Sequence, residues 1–165
     1  MVALCKLDGG IREVRLSCIH SLDSKDAIIC KYDQENTALI HMAITEIHVA
    51  CVDVQRKQVR VFNYKGVQLL TVGSAQLERP WGVLLQKGSV IVSDNGAGCL
   101  YKYRLEADSE PEWICGGLNL PTGICEDKDG YLYVASNSGK VIYLISPEGN
   151  IIWLTTLLRI DLIID

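Results

Sequence analysis

Short apolar runs of about five residues, each closed by a turn sequence, dominate the chain. The clearest example is PTGICEDKDGYLYVASNSGKVIYLISPEG, at residues 121–149. Its turns contain glycine at positions 130, 139 and 149, where a positive φ is tolerated. The runs between the turns are rich in aromatic and β-branched residues, which favour strands. The pattern predicts a meander of short antiparallel strands, and no stretch predicts a helix of useful length.

The chain repeats one pair of marks, an aspartate that closes a strand and an aromatic or apolar residue nine positions later. The pairs are Asp23 with Tyr32, Asp53 with Phe62, Asp94 with Tyr103 and, in the last copy, Ser136 with Ile145. Successive marks are 30, 41 and 42 residues apart. The Pro-x-Gly-aliphatic bends at Pro80 and Pro121 are also 41 residues apart. Two independent marks that agree on this period indicate an internal repeat.

Each full repeat has room for four strands, which we place between the turn signals. They are 39–44, 47–52, 58–63 and 68–72 in the second unit, 81–85, 89–93, 100–105 and 112–115 in the third, and 123–126, 131–135, 141–145 and 151–155 in the fourth. The first step of 30 residues is short for four strands, so we expect the first unit to lack its outer strand. The predicted units of this single domain are roughly 1–36, 37–73, 74–117 and 118–156, with a tail at 157–165.

A four-stranded meander repeated at this length is typical of the blades of a β-propeller. Strands such as 89–93 and 131–135 are apolar on both faces, which suits a sheet packed between two neighbouring sheets. A single blade cannot bury both faces alone, so blades must stack. The predicted fold class is therefore all-β, a propeller of four-stranded antiparallel blades. A sandwich or a barrel would not require such a period.

The repeat resembles the NHL repeat, a family of six-bladed-type propellers. The resemblance is carried by PWGVLLQKGSVIVSD with LYKY, at residues 80–94 and 100–103, and by PTGICEDKDGYLYVAS with VIYLISPEG, at 121–136 and 141–149. It covers roughly residues 36 to 156 and specifies architecture better than activity. The second unit departs from the motif because it has no Pro-x-Gly, and the fourth has Ser136 where the family usually has aspartate.

NHL-type propellers generally close with six blades, which exceeds the three good units and one poor unit of this sequence. The chain is then part of a longer protein, or it forms an open or four-bladed ring, or two chains pair to complete the circle. The apolar segment 157–165 follows no repeat mark, which favours the first interpretation. An open propeller would expose a blade face and a sheet edge, and such surfaces favour aggregation.

Composition agrees with a folded soluble domain, with 48% hydrophobic and 22% charged residues. The net charge of −4 gives no general attraction to nucleic acid or to an anionic membrane. No apolar stretch is long enough to span a bilayer, and the N-terminal sequence has no signal-peptide pattern. The seven cysteines are scattered without a Cys-x-x-Cys pair. We therefore expect reduced thiols in a cytoplasmic protein, rather than disulfides or a zinc site.

In an up-down meander the loops separate to the two ends of each blade, and here the two ends differ in charge. The loops after the second and fourth strands, with the adjoining strand start, carry the candidate binding residues Arg56, Lys57, Arg79, Trp81, Asn95, Asn119, Asn137 and Lys140. The other loops carry Glu106, Asp108, Glu110, Asp127, Asp129 and Glu148 against Lys65, Lys87 and Lys128. NHL-type propellers usually bind their partners at the end formed by the loops after the second and fourth strands. The alternative is that Trp81 packs in the core and the basic side chains are solvated.

The recurring aspartates Asp23, Asp53 and Asp94 occupy one position in the repeat. Repeated placement predicts a structural role, in which the carboxylate accepts hydrogen bonds from the turn that follows. The alternative is a central calcium site of the kind found in lactonase-type propellers, which needs a convergent set of oxygen ligands. Asp94, Asn95 and Asn137 supply part of such a set, but no convincing Glu or His accompanies them. We therefore expect no metal and no cofactor.

We expect the chain to be a non-catalytic interaction module. His41 and His48 lie in strand-like runs, where a histidine is more often a satisfied core residue than a ligand. The resemblance implies a place among the C-terminal propellers of tripartite-motif ubiquitin ligases, which select protein or RNA targets. The acidic balance and the single candidate aromatic, Trp81, favour a protein partner, because RNA requires a basic face with stacking rings. RNA binding and a metal-dependent lactonase-type hydrolase are the alternatives.

Overall fold

The structure is a computed structural model, and it describes residues 2–7, 10–15, 18–21, 30–31, 39–63, 67–107, 109–138 and 140–156. Side chains are described within residues 40–153 of these ranges. The first repeat marks, Asp23 and Tyr32, and the tail at 157–165 lie outside the described residues. In the part that is described, no helix is long and apolar enough to cross a membrane.

The described residues form sixteen strands in four antiparallel sheets, which we call blades 1 to 4 in chain order. Blade 1 contains β1 (Val2–Leu7), β2 (Gly10–Arg15), β3 (Cys18–Ser21) and β4 (Cys30–Lys31). Blade 2 contains β5 (Leu39–Ile44), β6 (Val49–Asp53), β7 (Gln58–Phe62) and β8 (Gln68–Val72). Blade 3 contains β9 (Pro80–Gln86), β10 (Ser89–Asp94), β11 (Cys99–Arg104) and β12 (Pro111–Cys115). Blade 4 contains β13 (Pro121–Glu126), β14 (Leu132–Ser136), β15 (Val141–Ile145) and β16 (Ile151–Thr156).

The strand order within each sheet follows the chain, so each blade is the predicted up-down meander. The predicted strands of blades 2, 3 and 4 are confirmed, with ends that differ by no more than two residues. The prediction for the first unit is wrong, because blade 1 also has four strands. Its fourth strand is reduced to Cys30–Lys31, and its first two strands form a hairpin before the first repeat mark. The 30-residue step therefore did not limit the number of strands.

Two apolar layers hold blades 2, 3 and 4 together. The layer between blades 2 and 3 includes Val59 and Val61 from one side and Val90 and Val92 from the other, all essentially inaccessible to solvent. The layer between blades 3 and 4 includes Ile91 and Leu100 against Leu132, Val134 and Ile145. Blade 3 thus uses both of its faces, which explains why every residue of β10 is buried. Stacking of blades supplies burial that a single sheet lacks.

The innermost strands of successive blades lie against each other, since β9 contacts both β5 and β13. One hydroxyl group links two of them. The Ser93 hydroxyl accepts a hydrogen bond from the amide of Gly82 at 2.8 Å and donates one to the carbonyl oxygen of Thr122 at 2.6 Å. The Thr122 oxygen would lie 2.1 Å from a Cβ atom at position 82. The glycine of the Pro-x-Gly bend is therefore required by the close approach of the next blade.

The structural role predicted for the recurring aspartates is confirmed for the described ones. Asp94 is fully buried at the end of β10, and its Oδ1 atom accepts hydrogen bonds from the amides of Gly96 and Ala97 in the turn that follows. The same carboxylate also accepts from the amides of Glu78 and Arg79, in the segment that leads into the blade. A buried carboxylate needs such donors, because desolvation without them is costly. Asp94 thus ties the entry of blade 3 to its central turn.

Candidate binding surface

The loops that connect the blades lie at the same end as the turns between the second and third strands, and we call this the linker end. Its described residues are those of the turns 54–57 and 95–98, residues 137, 138 and 140 of the equivalent turn, and the linkers 73–79 and 116–120. The remaining described loops form the opposite end, which we call the acidic end. The eight candidate binding residues all lie in the linker-end loops or at the strand start beside them, as the meander predicts.

Arg79 and Trp81 form a stacked pair at the linker end. The guanidinium carbon of Arg79 lies 5.9 Å from the centroid of the Trp81 ring, a distance at which a cation is attracted to the face of an indole. Trp81 is half-buried at the start of β9, and Arg79 is exposed. The backbone of Arg79 is held by Asp94, which accepts from its amide at 2.9 Å. The pair is therefore presented to solvent on a fixed backbone.

Asn95 has a structural role that the sequence did not reveal. It is 6% exposed, and its side-chain amide donates a hydrogen bond to the carbonyl oxygen of Pro121 in the next blade. Its backbone amide donates to the carbonyl oxygen of Arg79. The side chain of Asn95 therefore joins blade 3 to blade 4 and is almost entirely withdrawn from solvent.

The two candidate lysines at this end occupy one strained backbone position. Lys57 and Lys140 are the last residues of equivalent turns, with φ of 53° and 49°, and the equivalent residue in blade 3 is Gly98, with φ of 65°. This left-handed conformation costs most residues other than glycine about 1 kcal/mol. Both lysine side chains are exposed, so the turn directs two cationic groups into solvent.

The remaining candidates differ in how their side chains are used. Arg56 is partly engaged, because its guanidinium group lies 3.3 Å from the buried carboxylate of Asp53. Asn119 and Asn137 are exposed, and they lie near each other because the amide of Asn137 donates to the carbonyl oxygen of Leu120. The structure thus brings together Arg79 with Trp81, and Asn119 with Asn137. Among the described residues, no hydrogen bond, ion pair or ring contact joins Arg56 or Lys57 of blade 2 to either pair.

A cleft of about 700 Å³ opens at the acidic end, between loops of blades 2 and 3 and the end of β13. Leu85, Leu105 and the exposed side chain of Ile47 supply apolar wall. Its charged lining consists of Glu46, Glu106, Glu126 and Lys87, with His48 beside them. A mixed apolar and acidic lining suits a group with a cationic head and an apolar body. The acidic charge at this end could be predicted from the sequence. The cleft could not, because it depends on how three separate loops meet.

His41 is a half-buried histidine of β5 whose ring is hydrogen-bonded. Its Nδ1 atom accepts a hydrogen bond from the amide of Val83 on the adjoining inner strand, at 3.4 Å. Burial lowers the pKa of His41 below its ordinary value, so the neutral ring is favoured in the folded chain. Within the described ranges, no three residues among His, Cys, Asp and Glu come together in a group able to hold a metal ion.

The cysteines with described thiols differ in their surroundings. Burial is the main cause that raises the pKa of Cys99 and of Cys115 above the ordinary value. Cys125, in contrast, is exposed on β13. Protonated, buried thiols behave as small apolar side chains and are poor nucleophiles. Cys99 and Cys115 therefore belong to the packing of blade 3.

Comparisons with known proteins place the chain by its fold. No protein-family model matches the sequence, and no curated protein matches it either. Solved structures do match. A streptogramin B lyase structure gives a TM-score of 0.75 at 14% identity over 95% of this chain and 54% of that one. BamB from Moraxella catarrhalis gives 0.65 at 13% identity over 93% and 48%. Glutaminyl cyclase from Myxococcus xanthus gives 0.61 at 13% identity over 88% and 66%.

These similarities confirm the β-propeller fold. Identities of 13–14% show the fold alone and carry no shared activity, so the lyase and cyclase names belong to those proteins only. The chain spans roughly half to two thirds of the length of the structures it matches.

Proposed function

We propose that the chain is an NHL-type propeller module that binds a protein partner through its linker end, without catalysing a reaction. The observation that carries the proposal is the stacked pair of Arg79 and Trp81. Tryptophan and arginine are the side chains most often found at the energetic centres of protein interfaces. A role in target selection within a ubiquitin-ligase-like protein is part of the same proposal and rests on the NHL resemblance. A cytoplasmic setting is also part of it and rests on the scattered cysteines of the sequence.

Preorganisation supports this surface as a binding site. The buried Asp94 holds the backbone amides of Glu78 and Arg79, so the Arg79 side chain starts from a fixed backbone. A group that is already ordered loses less entropy when a partner arrives. Lys57 and Lys140 add exposed positive charge at the same end. Together these groups favour a partner segment with carboxylates next to an apolar or aromatic side chain.

The test is a selection of peptides from a random display library, followed by anisotropy measurements on the enriched peptides. We expect Arg79→Glu and Trp81→Ala each to weaken binding by about tenfold or more. Lys128→Glu is the matched control, since Lys128 is an exposed cation at the acidic end and its loss should leave affinity unchanged. Peptides that bind equally well to all variants would contradict the linker end as the site.

A second measurement separates protein from RNA as the partner. Labelled single-stranded oligouridine is titrated at low and at physiological salt, with the double variant Arg56→Glu and Lys57→Glu as the control. Binding of RNA depends strongly on salt and on cationic side chains. Salt-dependent binding that the double variant loses would replace the protein partner with RNA in this proposal, and absence of binding at low salt supports the protein partner.

A further inference from the structure

One face of blade 4 is open, although the same face of blade 3 is closed. In blade 3, Ile91 and Leu100 are at most 1% exposed because blade 4 covers them. A shift of 42 residues takes these positions to Tyr133 and Ile142, as the matching register of β10–β11 and β14–β15 shows. Tyr133 is 40% exposed. This face of blade 4 thus carries apolar side chains like those of the covered face of blade 3, but none of the described residues covers it.

The two equivalent tryptophans show the same difference. Trp113 lies opposite Lys102 in blade 3, and Trp153 lies opposite Leu144 in blade 4. The ring of Trp113 packs on Gly149 of the neighbouring blade, so closely that a Cβ atom there would lie 2.8 Å from the indole. Trp153 is 58% exposed. An indole ring contributes strongly to stability when it is buried, and an exposed one indicates a surface that can bind another protein.

The polar and close contacts of the blade 3–blade 4 junction also have counterparts on the open face. Asn95 donates to the carbonyl oxygen of Pro121 across the junction, and its equivalent Asn137 is exposed. Gly82 admits the backbone of Thr122, and at its equivalent, Gly123, a Cβ atom would meet nothing within 4 Å. The open face therefore has the donor and the backbone space that a further blade uses.

We propose that two copies of the chain associate into a closed ring, in which the open face of blade 4 in each copy packs against blade 1 of the other. Two observations favour a second copy as the occupant. The junction is of the blade-on-blade type, which a propeller chain can itself supply. The chain also spans about half of the lyase and of BamB, so two copies provide about as much propeller as one of those chains. Closed two-fold assemblies are the commonest oligomers of soluble proteins.

The first test is the mass of the purified chain, measured by light scattering on a size-exclusion column over a dilution series. The expected result is a species of two chains that dissociates on dilution. A chain that stays monomeric at the highest soluble concentration would overturn the proposal. The result does not depend on the proposed linker-end partner, because no ligand is present in the measurement.

Variants then locate the contact. Trp153→Glu and Tyr133→Lys each place a charge in the proposed junction, and we expect them to raise the dissociation constant of the dimer by about a hundredfold. Asn137→Ala removes one hydrogen bond and should raise it about fivefold. Ile47→Lys is the control, because Ile47 is 66% exposed at the acidic end, away from the junction. A dimer that survives the Trp153 and Tyr133 variants would overturn the proposal.

Folding and arrangement are checked on the same samples. Circular dichroism at a dilution where the wild type is monomeric should give equal spectra for all variants, since the altered side chains are exposed in a single chain. Mild oxidation then tests which faces meet, using Cys125, an exposed thiol of β13. A Cys125–Cys125 disulfide found by mass spectrometry would mean that two fourth blades face each other, and it would overturn the ring. A dimer without that disulfide supports it.

Discussion

The hydroxyl group of Ser136 donates a hydrogen bond to the carbonyl oxygen of Asn119, and this contact reverses the polarity found one blade earlier. In blade 3 the carboxylate of Asp94 accepts from the amide of Arg79, the residue equivalent to Leu120. The peptide unit before Arg79 thus presents its N–H group to the anchor, whereas the unit before Leu120 presents its C=O group.

The peptide unit between Asn119 and Leu120 is therefore turned over relative to its counterpart. Turning a peptide unit over changes the φ of the residue that follows, as in the difference between type I and type II turns. Leu120 accordingly has a φ of 46°, in the left-handed region. The replacement of aspartate by serine at position 136 is thus accommodated by a strained backbone, and not by a lost contact.

Leu120→Gly should relieve this strain. Leu120 is 39% exposed, so little packing is lost, and glycine adopts the left-handed conformation without penalty. Part of the gain is offset by the greater freedom of glycine in the unfolded chain. We expect the free energy of unfolding to rise by up to about 1 kcal/mol in urea denaturation. Arg79→Gly is the matched control, because Arg79 does not have a positive φ, and it should destabilise the chain.

Tyr103→Phe should leave the stability unchanged or raise it. Tyr103 is fully buried between blades 2 and 3, and its hydroxyl group has no hydrogen-bond partner among the described residues. Removing an unsatisfied buried hydroxyl group is worth about 1 kcal/mol. Tyr143→Phe is the comparison, since the Tyr143 hydroxyl group accepts a hydrogen bond from the amide of Asn119 at 3.0 Å. Removing that hydroxyl group should lower the free energy of unfolding by about 1 kcal/mol. Thermal melting of both variants measures the difference, and a loss in Tyr103→Phe as large as in Tyr143→Phe would contradict it.

Gly82→Ala should destabilise the chain by about 3 kcal/mol. An added Cβ atom would lie 2.1 Å from the Thr122 carbonyl oxygen, so the backbones of blades 3 and 4 would have to separate. Gly116→Ala is the control, because a Cβ atom there meets only the Cys99 sulfur, at an ordinary 3.6 Å. The urea concentrations at the unfolding midpoints of the two variants are compared, provided that the free energy of unfolding depends equally on urea concentration in both. Similar midpoints would contradict the prediction, because they would show that blades 3 and 4 can move apart at little cost.

Acid should weaken the fold through His41. Burial lowers the pKa of His41, so the folded chain binds this proton less tightly than the unfolded chain does. The contribution is complete above the ordinary imidazole pKa of 6.5 and is lost as the pH falls below it. We expect the melting temperature to fall between about pH 7.5 and about pH 5.5. His41→Asn, which keeps an acceptor near the Val83 amide, should reduce that fall.

The architecture was predictable because its signals are local and repeated. The Pro-x-Gly bends at Pro80 and Pro121 and the anchors at Asp53 and Asp94 mark points where backbone groups must be satisfied or must approach closely, and few residue types meet these demands. Blade 1 was misjudged because its first two strands form a hairpin that carries no such mark. The number of its strands depended on pairing that only the structure shows.

The surface was less predictable, since exposure depends on neighbours that are distant in sequence. Asn95 and Asn137 occupy equivalent turns, yet the first is buried by the next blade and the second is not. The same amino acid at the same repeat position is thus structural in one copy and accessible in the next. The cleft near Glu46 and Glu126 likewise arises from loops that meet only after the blades have stacked.

The interval between Pro80 and Pro121 bears on how such a protein can grow during evolution. Residues 80–120 contain one complete blade and the linker to the next. Pro80 and Pro121 each lie opposite the residue that ends the second strand of the blade, Asp94 in one case and Ser136 in the other. Tandem duplication of these 41 codons would insert a blade whose Val90 and Val92 take the places of Leu132 and Val134 in the existing layer. We expect the gene to tolerate gain of that whole unit far better than gain of half of it.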